Sequence, residues 1–259
     1  MQDVKITASL PTTYYLLPTL TLPIIPMKTI SKTFLALLLL VPALAAAAST
    51  AVFLFDAFSR VNVTLPLLLG AAVHLVIHKP LSKNGCAYVM AHECSHALAA
   101  LLSGAKIKKI SVKKHSGYVL TDSTNTFITL APYFVPFYAV AAGLLYFLAG
   151  FFVDIRPARP YFLALSGFFL SFHALSTIEI LTGPLQSDIK KAGGRFFSYT
   201  ALLLLNSLFA AAIIKLMFPE LLSFKSYLAE VASCTKGIAA FLHKAAIYII
   251  NTARIYIRS

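Results

Sequence analysis

Charged residues are scarce in this chain, and their scarcity argues against an ordinary soluble domain. Only 12% of the 259 residues are Asp, Glu, Lys or Arg, whereas 59% are hydrophobic. A soluble globular domain is usually about 25% charged and about 45–50% apolar. The mean hydropathy is +0.81, and the apolar residues fall into runs long enough to cross a bilayer. The sequence therefore predicts an all-α polytopic membrane protein.

Cysteine and acidic residues are also few. The three cysteines (Cys86, Cys94 and Cys234) include no CxxC pair, and the first two fall on one predicted helix, so we expect no disulfide framework. The chain has nine acidic and 22 basic residues, which gives a net charge of +13. Because the basic residues lie between apolar runs and in the C-terminal tail, we predict contact with anionic lipid headgroups and no binding of nucleic acid.

Six apolar runs predict about six transmembrane helices. These runs cover residues 34–55, 61–77, 86–102, 126–153, 160–181 and 197–218. Two N-terminal helices thus occupy residues 33–85, and a core extends over residues 86–218. Residues 219–259 alternate apolar and basic patches, which predicts a C-terminal amphipathic tail at the membrane interface.

The N-terminal segment, residues 1–32, permits two interpretations. Four prolines before Met27 argue against a continuous helix there. From Met27 onward, a basic start, an apolar middle and a small-residue end resemble a cleavable signal peptide. The apolar run continues for about 20 residues, however, which is the length of a retained span. We therefore expect retention.

The third apolar run carries two histidines and a glutamate in a setting that penalises ionisable groups. His92 and His96 are four residues apart, so a helix places both on one face, where their ring nitrogens can bind Zn²⁺. Glu93 lies beside the first histidine and can accept a proton from the attacking water and deliver it to a leaving amine. This HExxH pattern predicts one zinc ion per chain, with Glu93 as the catalytic residue.

A catalytic zinc usually takes three protein ligands, so the sequence should supply a third. Asp188 follows the fifth apolar run, beside a predicted helix start. Glu179 lies inside that run, where a bare carboxylate is expensive, and is the competing ligand. His173 is embedded as well. We predict that His173 and Glu179 support the metal ligands or contact the substrate, or that they join neighbouring helices by hydrogen bonds.

Residues 106–121, between the third and fourth runs, predict a membrane-associated β-hairpin because they combine β-branched stretches with a Ser-Gly turn. In one interpretation the five lysines of this segment bind lipid headgroups. In the other, Ser116, Gly117, Tyr118 and Val119 hold an extended substrate by strand addition. The sequence leaves both interpretations open.

The stretch HECSHALAALLSGAKIKKI, the following SGYVL and a later Gln-Ser-Asp resemble the site-2 protease family of intramembrane zinc metalloproteases. The resemblance extends over roughly residues 86–218. It implies that His92, His96 and Asp188 are zinc ligands and that Glu93 is the general base.

One segment departs from the family pattern. Members of the family have an Asn-Pro-rich stretch before an Asp-Gly pair. Here no Asn lies near Asp188, and Ile189 stands where the glycine would be. The residue that positions the substrate is therefore not identified by the resemblance.

The resemblance implies an intramembrane zinc endopeptidase that cuts membrane-anchored proteins in or near their transmembrane segments, for regulated proteolysis or signal-peptide clearance. It also implies a bacterial inner-membrane location with the site open to the cytoplasm. The five lysines of the predicted hairpin agree with this location, because loops rich in Lys and Arg tend to lie on the cytoplasmic side of a membrane. A metal-ion transporter or sensor that uses embedded His, Glu and Asp ligands is the alternative.

Overall fold

The computed structural model describes residues 27–82, 85–220 and 223–258, so the proline-containing segment before Met27 lies outside the described residues. Helices dominate the described part, and one β-hairpin interrupts them. The helices are α1 (Met27–Ser59), α2 (Val61–Ser82), α3 (Cys86–Leu102), α4 (Thr126–Leu130), α5 (Phe137–Ala149), α6 (Arg159–Thr182), α7 (Ser187–Ala192), α8 (Arg195–Met217) and α9 (Phe224–Arg258). The strands are β1 (Ile107–Val112) and β2 (Gly117–Thr121).

Within the described ranges, four segments are long and apolar enough to cross a membrane. They are Ile30–Ser59, Val61–Lys79, Arg156–Thr182 and Arg195–Met217. A fifth candidate is the α4–α5 pair, which is bent by 87° and forms either a broken span or a re-entrant loop. With 17 residues, α3 is shorter than any of the four. A helical, multi-pass membrane architecture is thus confirmed, whereas the count of six spans is not.

α2 and α6 pack at very short distance through glycine. A Cβ atom added to Gly70 would overlap the backbone of Ala164, and one added to Gly167 would overlap the backbone of Leu67. Close approach through small residues is a common way for membrane helices to associate. Larger side chains at these two positions would force the helices apart.

Polar contacts between α2 and α6 extend their interface and show that the two helices run in the same direction. His74 Nδ1 lies 2.9 Å from Ser171 Oγ, and His78 Nε2 lies 2.7 Å from Glu179 Oε1. Residue numbers therefore increase together along both helices, which run parallel. If α2 and α6 both cross the bilayer, the chain between them crosses it an odd number of times. Of α3 and the bent α4–α5 pair, only one then crosses completely.

β1 and β2 form the predicted hairpin, which is confirmed. The strands are antiparallel, with Ile110 opposite Val119 and Val112 opposite Gly117. A hydrogen bond of 2.8 Å from the Lys113 backbone N–H to the Ser116 carbonyl closes the turn. Both strands pack along α3, so the hairpin runs beside the helix that carries the HExxH motif.

The chain divides into two compact units by its internal contacts. The first contains the described residues up to Thr33 together with Val61–Ser198, and so holds α2 to α7 and the hairpin. The second contains Phe34–Arg60 and the residues from Tyr199 onward. The boundaries predicted from sequence after residues 32, 85 and 218 stay a prediction.

Candidate metal centre

Two helices bring the three predicted ligands together. His92 and His96 lie on one face of α3, with their ring centroids 4.9 Å apart. Asp188 is the second residue of α7, and its Oδ2 atom lies 3.3 Å from His92 Nε2 and 3.6 Å from His96 Nε2. The potential ligand atoms of the three side chains all lie within 4.8 Å of one another. The arrangement could hold a metal ion.

Glycine and proline bound the short segment that carries Asp188. α6 ends before Gly183 and Pro184, because a proline disfavours helical conformation in the residue before it and cannot continue the helix. α7 ends at Ala192, just before Gly193, whose φ of +139° lies in the region that favours glycine. Ile189 is buried and anchors the inner face of this helix. The segment is thereby held with its aspartate toward α3.

Both imidazoles direct Nε2 toward Asp188 because their other ring nitrogens are engaged. His96 Nδ1 donates a hydrogen bond of 2.8 Å to the Ile128 carbonyl oxygen. His92 Nδ1 lies 3.1 Å from the Tyr88 hydroxyl. Partners of this kind orient a ligating imidazole and leave the opposite nitrogen for the metal. The two Nε2 atoms are therefore presented as ligands.

Asp188 supplies a buried negative charge. It is only 6% exposed. Burial alone would raise the pKa of its carboxyl, but the close contacts with His92 and His96 outweigh burial and hold that pKa well below its usual range. The Tyr133 hydroxyl also donates to Oδ2, at 3.4 Å. Two imidazole nitrogens and one buried carboxylate form a donor set that fits Zn²⁺.

Glu93 lies against the first residue of β2. It is 7% exposed, and a Cβ atom added to Gly117 would lie 2.5 Å from Glu93 Cγ and 2.8 Å from Oε1. Only glycine lets the strand pass so close to this carboxylate. The segment Ser116–Val119 therefore begins beside the predicted catalytic base.

The two other polar residues selected from the sequence lie elsewhere. Glu179 has a side chain 58% exposed and pairs with His78, not with the histidines of α3. His173 lines a pocket together with Tyr88 and His92, and its Nε2 atom is buried without a hydrogen-bond partner. That either residue supports the metal ligands stays a prediction.

Three further residues contribute to the site and are not among those predicted from the sequence. Tyr88 precedes His92 by four residues, so helical spacing could have identified it. Ile128 acts through its backbone carbonyl, which carries no residue-type signal. Tyr133 is brought to Asp188 only by the fold, from 55 positions earlier in the chain.

The fold and the site define a helical membrane protein with a His-His-Asp arrangement suited to a divalent metal. Residues 66–181 match the family model described as Peptidase M50B-like, which confirms the predicted resemblance to the site-2 protease family. The match covers α3 and nearly all of α6 and ends before Asp188. It relates this chain to membrane metallopeptidases. No curated protein and no solved structure gives a significant match.

Proposed function

We propose that this protein is a zinc endopeptidase that hydrolyses peptide bonds in or near the transmembrane segments of membrane-anchored proteins. One observation carries the proposal: the HExxH histidines and Asp188 converge, with their ligand atoms within 4.8 Å of one another. The match of residues 66–181 to Peptidase M50B-like proteins supports it.

His92, His96 and Asp188 would hold the metal. A zinc ion bound there would supply the Lewis acidity that favours attack of water on a peptide carbonyl. Because the chain provides three ligands, one coordination position is left for the reaction. The hydrogen bonds at the Nδ1 atoms keep both rings in the ligating orientation.

Glu93 is the proposed general base. Its carboxylate accepts a proton from the attacking water and then donates it to the leaving amine. Glu93 is one residue from His92 and does not belong to the group of ligand atoms, so its carboxylate is available for proton transfer. Its burial against Gly117 fixes the carboxylate at the start of β2.

We propose that β2 binds the substrate by pairing with it as an additional strand. A helical substrate hides its carbonyls in intrahelical hydrogen bonds, so it must become extended before cleavage. The described sheet has two strands, so β1 pairs with one edge of β2 and leaves the other for strand addition. A substrate segment paired along Ser116–Val119 would begin beside Glu93.

α9 is proposed to contact anionic lipid headgroups at the membrane surface. Lys225, Lys236 and His243 are separated by 11 and seven residues, which places them on one side of a helix with about 100° per residue. Phe241, Tyr248 and Ile249 are exposed and fall on the opposite side, whereas the exposed Ile247 and Ile250 lie on the basic side near the C-terminal end. A basic stripe with apolar residues mainly opposite to it is typical of helices that lie in the interface.

Replacement of Glu93 by glutamine tests the proposed chemistry. The purified Glu93→Gln protein is expected to retain one zinc per chain and to lose cleavage of a membrane-anchored model substrate by about 10²–10⁴-fold. Asp188→Ala is the matched variant that should lose zinc. Wild-type cleavage by Glu93→Gln would contradict the assignment of the base. Zinc uptake into proteoliposomes by both wild type and Glu93→Gln, without cleavage by either, would favour a transporter instead.

A further inference from the structure

Lys32 in the first turns of α1 contacts two elements that support the metal centre. Its Nζ donates to the Ala192 carbonyl oxygen at the C-terminal end of α7. The same ammonium donates to Thr126 Oγ1, in the first residue of α4, at 3.0 Å. It also lies 4.9 Å from the centroid of the Phe197 ring. All of these residues belong to the same compact unit.

The contact with Ala192 acts on the helix that carries Asp188. α7 has six residues, so the aspartate is little more than one turn from the carbonyl that Lys32 binds. The last carbonyls of a helix lack intrahelical partners, and a cation there is stabilising. Gly193 makes this contact possible, because a Cβ atom at that position would overlap the Lys32 side chain.

The contact with Thr126 acts on the helix that orients His96. Asn125 caps α4 by accepting a hydrogen bond of 2.8 Å from the Ile128 backbone N–H. The Ile128 carbonyl in turn accepts the hydrogen bond from His96 Nδ1. Lys32 thus binds both the helix that supplies Asp188 and the helix that holds the His96 ring.

We infer that Lys32 is a positioning residue for the zinc site. It joins α4 to α7 and thereby fixes the distance between the His96 ring and the Asp188 carboxylate. The inference rests on the proposed zinc site. It also bears on the signal-like segment from Met27 onward, since removal of that segment would remove Lys32. Formation of the complete site then requires that α1 be retained.

Zinc affinity of the purified full-length protein, measured by competition with a metal-binding dye, tests this role independently of proteolysis. Lys32→Met keeps the length of the side chain and removes its charge and donors. Lys244→Met is the matched control, because it removes the same charge from an exposed position on α9 that lies outside the basic stripe. Lys32→Met is expected to lower zinc affinity about tenfold, the low end of the range for partners of metal ligands. Lys32→Arg should restore most of the affinity, and Lys244→Met should leave it unchanged.

The visible spectrum of the cobalt-substituted protein provides a second readout, since displacement of Asp188 would change the coordination. Wild-type zinc affinity and an unchanged cobalt spectrum in Lys32→Met would overturn the positioning role and leave the proposed function intact. Failure of the wild type to bind zinc would instead contradict the proposed function. If Lys32→Met does not fold, Thr126→Ala removes one contact of Lys32 and should give a smaller loss of affinity. An unchanged affinity in that variant would count against the inference.

Discussion

Replacement of Gly117 by alanine would place a methyl group against the proposed catalytic base. The added Cβ would lie 2.5 Å from Glu93 Cγ and 2.8 Å from Oε1, whereas ordinary contacts of a Cβ atom begin at 3.4 Å. Relief of this overlap requires that the carboxylate or β2 move by close to an ångström. Overpacking of this kind costs about 1–3 kcal/mol, which a folded protein of ordinary stability can tolerate.

The expected consequence for catalysis is larger than the consequence for stability. A displacement of about 1 Å at a reacting group can lower the rate on the order of 100-fold. The three atoms nearest to the added methyl group all belong to Glu93, so zinc content should stay at one per chain. Gly117→Ala should therefore separate metal binding from cleavage, as Glu93→Gln does, while the carboxylate itself is retained.

The assay compares kcat/KM on a membrane-anchored model substrate with zinc content determined on the same preparation. Gly143→Ala is the matched control, because a Cβ at this glycine of α5 meets no atom within 4 Å. It should cleave at the wild-type rate. Wild-type kcat/KM for Gly117→Ala at full zinc occupancy would refute the placement of β2 over Glu93. Loss of zinc from Gly117→Ala would refute the separation of the base from the ligands.

Two further predictions concern the packing of α2 and α6 and the function of α9. Gly167→Ala should lower the midpoint of thermal unfolding in detergent, because its methyl group would overlap the Leu67 backbone, and a midpoint equal to that of Gly143→Ala would contradict the close packing. A peptide of residues 224–251 should bind vesicles that contain anionic lipid more than tenfold more tightly than neutral vesicles, because each basic residue near an anionic surface contributes about 1 kcal/mol. Equal binding in a co-sedimentation assay would contradict the proposed interfacial role.

The local features of the site could be predicted from the sequence because their spacing is short. The four-residue separation of His92 and His96 defines a common helix face without any knowledge of the fold. The hairpin follows from β-branched residues around a Ser-Gly turn. The place of Asp188 after a span and the family resemblance predict it as the third ligand, and the structure brings its carboxylate to both imidazoles.

The features that depend on tertiary packing could not be obtained in this way. Residues 126–153 form one apolar run by composition, yet the structure divides them at an 87° bend. Pro132 and Pro136 lie at this bend and could have indicated it, since proline disrupts a helix interior. Lys32 gave no such indication, because a basic residue before an apolar run is what a signal peptide or a first span requires. Its contacts with α4 and α7 arise only in the folded chain.

The parallel packing of α2 and α6 bears on how water and substrate reach the site. The C-terminal ends of α2 and α6 lie at the same end of the bundle. From there the chain continues from α2 to α3 and from α6 to Asp188. The turn of the hairpin returns to this end as well, since a Cβ at Gly85 would lie 3.0 Å from the Lys114 carbonyl oxygen. His92 is only the seventh residue of α3. The metal centre therefore lies closer to this end of the bundle than to the other.

Basic side chains lie at both ends of this part of the chain. Lys79, Lys113, Lys114, Lys190, Lys191 and Arg195 lie in the segments at the end near the metal centre, whereas Lys106, Lys108, Arg156 and Arg159 lie toward the opposite end. An extended substrate segment and the water for its hydrolysis would reach the proposed site from the nearer end without crossing the hydrocarbon core. The hairpin turn would then be the first part of the protein that such a segment meets.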